Sequence, residues 1–101
     1  MTIEAPSDLD NLLFLRASSA ATITRADCVV DAVATTVYTT IQKCDGNGRN
    51  CSTTVASGTC ADTMTALSIA SPAIADADVL RIDLGTVLGS PGHLLVCLTF
   101  Q

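Results

Sequence analysis

Alternation with a period of two is the strongest pattern in the chain. Leu80, Ile82 and Leu84 alternate with Arg81 and Asp83, and Leu94, Val96, Leu98 and Phe100 alternate with His93, Leu95, Cys97 and Thr99. Residues two apart share one face of a pleated strand, so each segment predicts a strand with one core face. Elsewhere, short runs rich in Thr, Val, Ile and Leu are separated by clusters of Gly, Pro, Asp and Asn. Together they predict strands at 12–17, 21–30, 34–44, 51–56, 64–70, 78–87 and 93–100. The Ala-rich "VVDAVATTV" lacks a 3.6-residue apolar stripe and carries stiff β-branched residues, which favour strand and turn over helix. "GSPG" at 89–92 reads as the loop of the last hairpin. With no helical segments alternating with the strands, the fold class is all-β. The expected architecture is an antiparallel β-sandwich, a jelly roll being one arrangement that fits. Residues 1–10 set Glu4, Asp8 and Asp10 around Pro6 with no apolar period, which predicts an extended N-terminal arm ahead of a single domain at 11–101.

Composition sharpens this picture at three points. The 101 residues hold no Trp, one Tyr and two Phe, so the core has to be built from Val, Leu, Ile and Ala. A domain of this size buries only about 60–70% of the surface its unfolded chain exposes, so covalent staples or contacts between copies are expected to add stability. The net charge is −5 and the only cations are Arg16, Arg25, Lys43, Arg49 and Arg81. A phosphate backbone is bound by clustered Lys and Arg, so nucleic acid is not an expected partner. The run "NLLFL" is cut by Arg16, far short of the roughly 18 apolar residues of a membrane helix, so no membrane partner is expected either. "MTIEAPSDLD" is acidic where a secretory leader is basic, which predicts synthesis in the cytoplasm. Five cysteines stand against that, because disulfides belong to oxidising compartments. A protein assembled inside a cell and released later, as part of a virus particle, reconciles the two.

The stretch "KCDGNGRNC" at 43–51 looks at first like a metal or phosphate loop. Counted from Asp45 as an EF-hand, it places Asn47 third but Arg49 fifth and Ala56 twelfth, so a guanidinium stands where an oxygen ligand is needed. As a dinucleotide fingerprint it has Cys51 in place of the third Gly. Asp45, Gly46, Asn47 and Gly48 are instead the residue types that accept positive φ in a hairpin turn. Cys44 and Cys51 flank that turn at a spacing a hairpin brings together, which predicts a disulfide clamp. Cys28 with Cys60 is the next pairing, both at strand ends, leaving Cys97 as a small buried residue of the last strand; Cys28 with Cys97 is the alternative that spacing leaves open.

Other chemistry is sparse. His93 is the only His and lies at a strand start after Gly92, so it reads as a surface or interface residue. Asp76 and Asp78 in "ADADVL" read as a polar turn entering a strand rather than as paired acids. No CxxC spacing supports a zinc or redox motif. Phe14, Tyr38 and Phe100 are scattered and at least two are expected in the core, so no carbohydrate platform is visible. The expectation is a non-enzyme with no metal and no cofactor.

In order along the chain, "ATITRADCVVDAVATTVYTTIQKCDGNGRNC", "TCADTM" and "ADADVLRIDLGTVLGSPGHLLVCLTF" resemble the small β-domains of tailed-phage virion proteins, found in head decoration proteins and tail fibres. The likeness spans about residues 21–100, and its motifs are structural. Where such domains place Gly before Asp in an "AGD" turn, this chain has Ala77. The resemblance implies a capsid decoration, or cement, protein on the outer surface of a phage head, forming a homotrimer on the major capsid protein and located on the virion exterior. A tail-fibre or receptor-binding virion domain is the alternative. Thr2, Ile3, Glu4, Ala5, Pro6 and Asp8 of the arm are the residues expected to order on a partner.

Overall fold

A computed structural model describes residues 2–4 and 11–101 of the chain. Among these residues, ten antiparallel strands form two sheets. The first has the order β1 (Thr2–Glu4), β10 (His93–Phe100), β3 (Ala21–Val30) and β6 (Thr65–Ala66), with β8 (Ala73–Ile74) also pairing on β3. The second has the order β2 (Asn11–Arg16), β9 (Val79–Leu88), β4 (Thr36–Cys44), β5 (Thr53–Cys60) and β7 (Ser68–Ile69). The pairings nest: β4 with β5, β3 with β6, β2 with β9, β1 with β10. The chain is therefore one antiparallel ribbon doubled at the turn after Cys44, then rolled so that β10 lies on β3 and β9 on β4. This is the connectivity of a jelly roll, and the β-sandwich is as the alternation predicts.

The two inner faces make the core. Ile23, Ala26, Cys28 and Val30 of β3 and Leu94 and Val96 of β10 meet Val37 and Ile41 of β4, Val55 of β5, and Leu80, Ile82 and Leu84 of β9. No aromatic ring is among these buried residues, so stability depends on close packing of small aliphatic side chains, where each lost methylene is felt. The Cys28–Cys60 disulfide joins β3 to the end of β5 and so ties one sheet to the other through the core, while Cys44–Cys51 closes the hairpin turn between β4 and β5.

The predicted strand at 64–70 is broken in two at Leu67. β6 belongs to the first sheet and β7 to the second, and Leu67, 5% exposed, marks the crossing, its N–H donating to the Ala26 carbonyl at 2.8 Å. β5 continues past the predicted end at 56 to Cys60, residues 57–60 pairing with Val37–Thr40 of β4, and a register shift between Ile41 and Gln42 lets Val55 and Ala56 both face inward. "GSPG" is not a hairpin loop. β9 and β10 lie in different sheets, so residues 89–92 form an arch from one to the other. Of the predicted arm, Thr2–Glu4 is an edge strand paired with His93–Leu95 through Thr2↔Leu95 and Glu4↔His93, while Ala5, Pro6 and Asp8 lie outside the described residues.

Candidate functional site

The glycine-rich stretch is a closed turn. Asp45 Oδ1 accepts from the backbone N–H groups of Asn47 and Arg49, both at 2.9 Å, and Oδ2 accepts from Asn50 Nδ2 at 2.7 Å. These bonds, that from the Arg49 N–H foremost, hold the Asp45 carboxyl below its ordinary range. Its oxygens serve the turn rather than a cation. Gly48 has φ +75° and a Cβ there would come within 2.6 Å of Leu13 Cδ1, so the turn needs glycine for both conformation and space.

His93 is exposed and tied down. Asp31 Oδ1 accepts from the backbone N–H groups of Gly92 at 2.9 Å and His93 at 2.8 Å, and Oδ2 stands 2.7 Å from His93 Nδ1. The His93 N–H, then its ring, lower the Asp31 pKa. The carboxylate thus anchors the end of the 89–92 arch to the turn after β3. Asp78 likewise serves a turn, Oδ2 accepting from the Ala75 N–H at 2.8 Å. Ala77 within it takes φ 71°, the left-handed conformation that glycine adopts without strain. Among the described residues, no group of three His, Cys, Asp or Glu is placed to hold a metal ion, and no helix is long and apolar enough to cross a membrane.

Cys97, expected inside, is exposed as a free thiol: β10 turns Leu94 and Val96 inward, and the alternation carries Cys97 outward. The aromatic residues also differ from expectation. Phe14 packs against the core, but Tyr38 is 44% exposed and Phe100 41%. Phe100 borders an apolar gap between β2 and β10, lined with Phe14, Leu15, Val96 and Leu98.

Tyr38 stands on the outer face of the second sheet, where sequence reading placed no site. Cross-strand partners share a face, and the register builds three rows across β9, β4 and β5. These are Arg81–Gln42–Thr54, Asp83–Thr40–Ser57, and a third in which Tyr38 stands opposite Thr59. A register shift between Val37 and Thr39 sets Gly85 and Thr86 together opposite Tyr38. The ring leans across Gly85, where a Cβ would lie 3.1 Å from Tyr38 Cδ1. A shallow pocket of about 230 Å³ opens there, lined by Thr36, Tyr38, Thr59, Thr86 and Leu88. Two rows away Arg81 Nη2 donates to Gln42 Oε1 at 2.7 Å and to Asp83 Oδ2 at 2.9 Å. Arg81 Nε lies 2.8 Å from Asp83 Oδ1, a charge contact without the alignment of a hydrogen bond. The face thus combines one aromatic plate, a row of hydroxyls and a fixed, internally neutral polar cluster. Only the alternation of Arg81 and Asp83 foreshadowed it; the glycine under the ring and the β-bulge leave no sequence signal.

Comparison of the chain with protein-family models, with curated proteins and with solved structures finds no match.

Proposed function

We propose that the protein is a contact module of a virion exterior, a decoration or cement protein that binds the outer surface of a phage head as a homotrimer on the major capsid protein. The observation that carries this reading is the Cys28–Cys60 bridge between the two sheets of a small aliphatic jelly roll. A structural bridge of this kind belongs to a protein whose working environment is oxidising. A thin core tied across its two layers suits a part whose task is to hold shape under load. A jelly roll hosts many functions, so the virion setting comes from the resemblance over residues 21–100 and not from the fold. In this reading the arm residues Thr2, Ile3, Glu4, Ala5, Pro6 and Asp8 contribute to attachment. The test is the amount of the protein in purified particles of the virus that encodes it. A decoration protein is present in proportion to the major capsid protein; absence from particles overturns the reading.

A second reading, a receptor-binding or tail-fibre domain, is favoured by one observation: Tyr38 and the Arg81–Gln42–Asp83 cluster are presented together on a solvent-facing sheet surface. Trace occupancy in the particles, with the protein recovered in tail fractions, selects it over decoration.

A further inference from the structure

We infer that the outer face of the β9–β4–β5 sheet is a binding site for an uncharged oligosaccharide lying along β4. The inference does not rest on the virion reading. Three features of the face point to this chemistry. The first is Tyr38, an exposed ring that the missing side chain of Gly85 allows to lean over β9. A sugar ring has an apolar face of C–H groups that stacks on such a plate, and Tyr adds a hydroxyl at its rim. The pocket beside it, about 230 Å³ and framed by Thr36, Thr59 and Leu88, is smaller than the roughly 300–1,000 Å³ that encloses a drug-sized ligand, and so holds a single ring.

The second feature is the Arg81–Gln42–Asp83 cluster. Gln42 Oε1 is taken by Arg81, which turns the amide nitrogen of Gln42 to the other side as a donor. Arg81 uses Nη2 and Nε on its partners and keeps Nη1 apart from both contacts. Planar donors held in place by neighbours suit hydroxyl groups, because the rotamer entropy is lost before the ligand arrives. Four residues along β4 separate Gln42 from Tyr38, about 13 Å at strand rise, which is longer than one ring and selects a chain of sugars.

The third feature is charge. The guanidinium of Arg81 is balanced by Asp83 on the same face, and hydroxyls of Thr40, Thr54, Ser57 and Thr59 complete the surface. An anionic ligand would meet no unbalanced cation in this cluster, and a cationic one no unbalanced carboxylate. β4 is paired on both sides, by β9 and β5, so a peptide strand finds no free backbone edge there. A neutral ligand that exchanges hydroxyl bonds and stacks one face matches what remains.

Tyr38 is the only Tyr in a chain with no Trp, so intrinsic fluorescence reports this face alone. The purified protein is titrated with maltohexaose, cellohexaose and xylohexaose while tyrosine emission and backbone amide shifts are recorded. The expected result is a saturable emission change with at least one of the three, with shifts centred on residues 38–42 and 81–86. Gln42→Ala and Tyr38→Ala, the latter followed by amide shifts, should each weaken binding by about tenfold or more. Arg25→Ala, on the opposite sheet, should leave it unchanged. If Tyr38→Ala perturbs the fold, Gln42→Ala carries the test. No response to any of the three sugars overturns the proposal, as does binding undiminished in both variants. A Tyr38 signal that follows protein concentration alone assigns the face to a second copy and also overturns it.

Discussion

Replacing Cys28 and Cys60 with Ala removes the tie between the sheets and gives the sharpest test of how this small core is held. The bridge closes a loop of 32 residues and Cys44–Cys51 one of 7. In the chain-entropy account the longer loop restricts the unfolded state by about 3.7 kcal/mol and the shorter by about 2.4 kcal/mol. Cys28 and Cys60 are fully buried, so the Ala pair also forfeits sulfur packing, of order 1 kcal/mol. The double variant should thus lose about 4–5 kcal/mol, a large share of the roughly 5–15 kcal/mol that a domain of this kind possesses. At about 4–8 °C per kcal/mol, the Tm falls by about 16–40 °C. Thermal and urea unfolding of wild type, Cys28/Cys60→Ala and Cys44/Cys51→Ala, each oxidised, measure this. The expected order is a large loss for the first pair and a smaller one for the second. Equal losses, or a larger one at the turn, would refute the reasoning, because the long loop and the buried position would then count for nothing.

Ala77→Gly should raise stability: it relieves about 1–2 kcal/mol of left-handed strain against about 0.4–1 kcal/mol of added unfolded-state freedom, and an unchanged or lower Tm counts against it. Asp31 and Asp45 both have folded pKa values below the usual aspartate value of about 3.9, so their contribution is complete above that pH and lost as pH falls through the depressed values. Urea midpoints measured from pH 6 down to about 2 should therefore decline less steeply for Asp45→Asn than for wild type, and parallel curves would show that the turn carboxylate is not a source of the acid limb. Sedimentation should find the isolated protein self-associated at tens of micromolar, an order-of-magnitude concentration for weak contacts; a monomer throughout that range opposes the trimer.

What could be read in the sequence follows the physics of burial. β9 and β10 were legible because one face of each meets the core and the other meets water, so the alternation of Leu80, Ile82 and Leu84 or of Leu94 and Val96 records it directly. The 45–50 turn was legible because its residue types have one conformational use, and Cys44 and Cys51 bracket it. Sheet membership was not. An arch and a hairpin loop demand the same residues, so "GSPG" gives no sign that β10 leaves the sheet of β9 for that of β3. Leu67 looks like any strand leucine, yet it is where the chain changes layers. The outer face of β4 was hidden for a related reason: Tyr38 acquires its setting from Gly85, 47 positions away in a strand whose bulge only pairing reveals.

The nested ribbon also sets an order in time. β10 separates β1 from β3 in one sheet, and β9 separates β2 from β4 in the other, so both inner strands lie within residues 79–100. While the chain emerges from the ribosome, the β4–β5 hairpin can close, but neither sheet can be filled in until residues 79–100 have been made. Until then β3 and β4, although β3 can gain β6 and β8 and β4 can gain β5, each keep one open edge, the state in which β-proteins are drawn into wrong pairings. Closure of this fold therefore waits on β9 and β10, whatever pairs before them. A nascent chain halted before Val79 should remain sensitive to protease outside the β4–β5 hairpin, and protection of β3 at that stage would refute this order.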